Sequence, residues 1–184
     1  MSKLTLLFLL IPNLSQQDSL GVLKEEDIKE IHLSATKRLE DFGDYLATMA
    51  SKRANFQRKE DAKNSAVALF FDNKRIIQVS SKKRKKITTY LVPDYFQRIM
   101  ALQYDQVEVQ WSEIAISKKL IEGHDGFYYG TAYIVQHFTG KIDDLTSYTD
   151  TTRKVIEIRV EKLISGDREV WDVRLGNVTV AETK

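Results

Sequence analysis

Residues 106–180 constrain this chain most. They alternate apolar and polar residues as strands do, then break the alternation at two places. Residues 153–163 carry Ile156, Ile158 and Val160 at one parity. Residues 168–180 carry Trp171, Val173 and Leu175 at one parity, then Val178 and Val180 at the other. Residues 106–117 do the same, from Val107, Val109 and Trp111 to Ile114 and Ile116. A strand cannot exchange its buried face without an irregularity, so bulges are expected near Ser112-Glu113 and Gly176-Asn177. Residues 126–139 form a fourth long strand, apolar on both faces, and Gly166-Asp167 turns between the last two strands. Long bulged strands make a strongly curved sheet, and its concave side has to be covered.

The cover lies upstream. Over residues 25–54, Ile28, Ile31, Ala35, Leu39, Phe42, Leu46 and Met49 recur at spacings of three and four, which lines one helix face. Glu25, Glu26 and Asp27 suit the positive end of that helix dipole. Residues 59–71 read as a shorter helix. Residues 75–80 and 87–92 are β-branched and read as strands. Pro93 opens a third helix, through about residue 102. The expected fold class is α+β. It is a strongly curved antiparallel sheet wrapped around a long N-terminal helix, in the order α-α-β-β-α-β-β-β-β.

Charge restricts function. The chain has 28 Lys and Arg against 26 Asp and Glu, for a net charge of +2. Without the run KKRKK at 82–86 the balance is 23 against 26, so the basicity is local. Nucleic-acid binders spread cations over a face and interleave aromatics, so no nucleic-acid partner is expected. The run reads as a solvated hairpin tip. There are no cysteines, which excludes disulfides, thiolate catalysis and zinc–thiolate sites. With three histidines, no metal site and no cofactor are expected.

At the N-terminus, Lys3 precedes the apolar stretch Leu4–Ile11, which Pro12 ends. The pattern reads as a signal peptide over 1–15, cut between Ser15 and Gln16. The alternative is an apolar strand or helix packed on the domain. The stretch is too short to span a bilayer as a helix, so no transmembrane segment is expected. On the first reading, 16–24 is an N-terminal extension and 25–184 a single domain of an exported protein, periplasmic or secreted.

This order of elements resembles the nuclear transport factor 2-like fold, the SnoaL-like, cystatin-like α+β superfamily. Ala66–Asp72 is similar to the helix end that runs into the first strand, and Y-I-V-Q-H-F-T-G at 133–140 to one of the long strands. A closer resemblance is to secreted bacterial members. In those, such a strand precedes a segment like Tyr148–Lys154 and the chain closes with a stretch like W-D-V-R-L-G-N-V-T-V. The resemblance implies a cone whose wide mouth can serve as a pocket, and a homodimer through the outer sheet. It implies no particular catalytic residues, because the fold hosts enzymes and binding proteins alike.

Six residues are candidates for ligand binding. Trp111, Tyr129 and Tyr133 are aromatic pocket walls, with core packing as the alternative. His137 shares the parity of Tyr133 and Tyr129. With Tyr133 it could move protons in an isomerase-like enzyme, the alternative being a hydrogen-bonded histidine on a half-buried strand. Tyr148 and Asp150 are candidate rim groups in a segment expected to precede a strand, where side chains can instead satisfy backbone groups. The leading expectation is an exported, non-enzymatic domain that binds an unknown ligand or partner. The alternative is a small-molecule enzyme using the pocket histidine and tyrosine.

Overall fold

The first helix, α1 (Glu25–Ala50), buries the expected stripe of Ile31, Ala35, Leu39, Phe42, Leu46 and Met49. The structure, a computed structural model, describes residues 23–81, 86–102, 104–117 and 119–183. Asp27 accepts from the Lys24 backbone N–H at 2.8 Å and closes the first turn. The helix stops four residues short of the expected end. Ser51 becomes extended, and its N–H closes on the carbonyls of Ala47 and Thr48.

The second helix, α2 (Phe56–Ala68), starts earlier than expected because Asn55 caps it, accepting from Arg58 N at 2.8 Å. Strands β1 (Ile76–Val79) and β2 (Thr88–Leu91) pair antiparallel, Ile76 opposite Leu91. The cationic run lies between them, and its residues 82–85 fall outside the described residues. Pro93 sits in the first turn of α3 (Val92–Met100).

Then come β3 (Gln106–Ile116), β4 (Ile121–Glu122), β5 (Tyr128–Ile142), β6 (Leu145–Ser165) and β7 (Arg168–Thr183). The sheet runs β2-β1-β7-β6-β5-β3, with the short β4 also on β5. It is not purely antiparallel as expected. β1 joins β7 in parallel, Ile77 opposite Val178. The two-residue β4 is too short to show a period, and no expectation marked it. The segment 148–152, expected before a strand, lies inside β6.

Both expected bulges are present. On β3, Ser112 pairs with Val135 but Ala115 with Tyr133, so one extra residue is inserted, and Glu113 takes a left-handed φ of 53°. On β7, Leu175 pairs with Ile158 and Val178 with Ile156, again one extra residue, at Gly176-Asn177. The bulges keep Trp111 and Ile116, or Leu175 and Val178, on the concave side despite their opposite parity. That side wraps α1, which packs on β3 and β7. Asp172 of β7 fastens the layers: it accepts from Arg38 of α1 at 2.6 Å and from Arg174 at 2.6 Å.

Candidate ligand cavity

The concave face changes character along its length. On β6 the inward row is Val160, Ile158 and Ile156, then Lys154, Thr152, Asp150 and Tyr148. On β5 it is Ala132 and Ile134, then Gln136 and Phe138. The apolar half meets the core of α1. The polar half faces a cavity of about 370 Å³ under α3 and the β1–β2 hairpin. Tyr90, Leu102, Tyr104 and Phe138 supply its apolar and aromatic wall. Tyr95, Gln136, Tyr148, Asp150, Thr152 and Lys154 supply its polar one.

Lys154 is the unusual group. Its residue is 5% exposed, and among the described residues its ammonium has one weak hydrogen bond, donating to the Gln78 carbonyl at 3.4 Å. Among the described residues no carboxylate lies within ion-pair distance of it. Burial pulls its pKa down to about 8, and the Asp150 charge opposes the fall. Burial pushes the Asp150 carboxyl up, against the hydrogen bond donated by Tyr148 Oη and the charge of Lys154. Burial, with the Asp150 charge, also raises the Tyr95 phenol. Beside them Gln136 is 7% exposed, and its Oε1 is buried without a hydrogen-bond partner. Such acceptors are uncommon in a folded interior. The cavity therefore offers a desolvated cation and a carboxyl whose pKa burial raises, against aromatic walls.

The six sequence candidates separate by face. Tyr148 and Asp150 line the cavity. Trp111 is on the concave side but belongs to the core, stacked on Phe42 at 5.7 Å and 20°. Its indole lies so close to Gly43 of α1 that a Cβ there would be 2.0 Å from Nε1, so only glycine fits. Tyr129, Tyr133 and His137 do share a face, and it is the outer one. Alternation along β5 opposes them to Gln136 and Phe138. Tyr133 is 52% exposed, and Tyr129 donates to Asp125 at 2.6 Å. His137 sits between two hydroxyls, Nε2 2.9 Å from Ser112 Oγ and Nδ1 3.1 Å from Thr151 Oγ1. A dent there of about 160 Å³ is separate from the main cavity.

Sequence reasoning missed Lys154 and Gln136. Each carried a signal: Lys154 is a cation at the parity of Ile156, Ile158 and Val160, and Gln136 shares the parity of Ile134.

A long helix held in a curved sheet of this order, with a cavity at the open end, defines an α+β cone. That assignment rests on the elements and their pairing in this chain. No family model matches the sequence, and no curated protein matches it significantly. Solved structures with some similarity include a scytalone dehydratase-like protein from Novosphingobium aromaticivorans DSM 12444 (10% identity, TM-score 0.45, 86% of this chain and 90% of that one). An aromatic ring hydroxylase-like protein from Novosphingobium aromaticivorans (10%, TM-score 0.40, 83% and 94%) and a hexachlorocyclohexane dehydrochlorinase, LinA type 2 (11%, TM-score 0.37, 83% and 88%), are also similar. Among the described residues no helix is long and apolar enough to cross a membrane.

Proposed function

We propose that this chain is an exported domain that binds a small molecule in the cone. The carrying observation is Lys154, a nearly fully buried lysine with no ion-pair partner among the described residues, at the wall of a cavity lined by aromatics. A buried charge is costly unless something completes it, and a cavity with a few convergent polar groups is the usual form of a small-molecule site. The test is a backbone-amide NMR titration with a library of small cyclic compounds. Shifts should cluster at Tyr90, Gln136, Phe138 and Thr152. Binders that map to the outer face, or no binders at all, would overturn the reading.

Export belongs to the proposal through residues 1–15. It predicts that the chain recovered from its native host begins near Gln16, and an intact Met1 would refute it. Pairing of two copies through the outer sheet also belongs to it.

A second reading is favoured by one observation. A lowered lysine and a raised carboxyl share the cavity, an arrangement suited to proton transfer. This version of the enzyme uses Lys154 and Asp150, since His137 and Tyr133 line the other face.

A further inference from the structure

Granted the small-molecule reading, we infer that the ligand is a carboxylate on a largely apolar body, held by Lys154. The argument starts from what the walls lack. Lys154 Nζ can donate three hydrogen bonds and, among the described residues, makes one, at 3.4 Å. Its nearest charge of opposite sign, Asp150, is already engaged by the Tyr148 hydroxyl. An incoming carboxylate supplies the missing acceptor and charge together, as a charge-assisted bond in a low-dielectric setting.

A doubly charged phosphate fits less well. Among the described residues Lys154 is the one deeply buried cation of the wall, and Asp150 stands beside it. The apolar body follows from Tyr90, Leu102, Tyr104 and Phe138, whose rings and side chains form the rest of the lining.

The groups facing Lys154 bear on any pH response. They are Asp150 and Tyr148 on its own strand, Tyr95 and Arg98 on α3, Tyr90 on β2, Tyr104 before β3, and Lys86 before β2. Arg98 and Lys86 are the rival cations. Both are exposed, and the Arg98 guanidinium lies 4.8 Å from the Tyr90 ring centroid.

The experiment is calorimetric titration of the full chain with 2-naphthoate and its neutral isostere 2-naphthamide. The acid should bind at least about tenfold tighter than the amide at pH 7. Lys154→Met should erase the preference for acid over amide, while Arg98→Met and Lys86→Met keep it. As a measurement that needs no variant, the preference should fall in the wild type as pH rises from 7 to 10. Equal binding of acid and amide, a flat pH profile, or loss of preference in Arg98→Met or Lys86→Met but not in Lys154→Met would each overturn the carboxylate assignment and leave the small-molecule reading standing. If neither compound and no library member binds, the reading itself fails.

Discussion

The two ends of the concave face are made by the same strands and end in opposite states. At one end Val160, Ile158 and Ile156 are fully buried against Phe42, Phe70 and Phe96, which meet edge to face at 5.7–6.1 Å. At the other end the same row of β6 continues as Lys154, Thr152, Asp150 and Tyr148 around a cavity. The same strands run through both ends. What changes is the cover: α1 fills the first end with its apolar stripe, while the shorter α3 and the hairpin roof the second and leave space. A curved sheet is therefore neutral between core and pocket. The helix over it and the side chains on it decide which one forms.

The largest effect should come from breaking the filled end. Phe42 is 1% exposed and contacts Phe70, Phe96 and Trp111. Phe42→Ala removes a ring packed against three other aromatic side chains, and should cost about 3–5 kcal/mol by denaturant unfolding. A loss under about 1 kcal/mol would mean that the two ends are not packed differently.

The open end should answer in the opposite direction. Lys154 has its folded pKa depressed from 10.5 to about 8. Below pH 8 the folded state holds the charge against desolvation. Between about 8 and 10.5 the unfolded chain binds more protons, so stability from this group rises with pH across that window. Lys154→Met should therefore stabilise the fold at pH 7 by roughly 1–3 kcal/mol. The gain is trimmed because Asp150 loses a neighbouring positive charge. Unfolding curves at pH 7 and pH 10 check the sign: the advantage of the variant should shrink at the higher pH. A destabilised variant with no pH dependence would show Lys154 to be a structural group.

Much of the filled end was legible in the sequence, and less of the open end. The α1 stripe and the parity breaks at Ser112-Glu113 and Gly176-Asn177 are periodic signals, and burial enforces period. The cavity has no such rule. Polar residues on an inward face look like errors of pattern until the space in front of them is known. Lys154 and Gln136 were readable as such errors. Tyr148 and Asp150 were picked out although their segment was placed before a strand rather than in one. The face of β5 was not readable, because residues 126–139 are apolar on both sides. The structure shows why: Tyr133 and Val135 look outward while Ala132 and Ile134 look in, and Val135 is only 7% exposed although it lies on the outer face.

The smallest effect should be at His137, and it sharpens the contrast between the two faces of β5. Its ring joins Ser112 on β3 to Thr151 on β6 through hydrogen bonds of 2.9 and 3.1 Å, so it ties three neighbouring strands across the outer surface. A net hydrogen bond contributes about 0.5–1.5 kcal/mol, and these are only partly buried, so His137→Ala should cost roughly 1 kcal/mol in all. Ligand shifts at Gln136 and Phe138 should be unchanged in this variant, because those side chains point the other way from the same strand. If His137→Ala instead abolished cavity binding while the fold stayed intact, the outer hydroxyl–imidazole–hydroxyl cluster would be coupled to the cone. The division into a binding face and a structural face would then have to be given up.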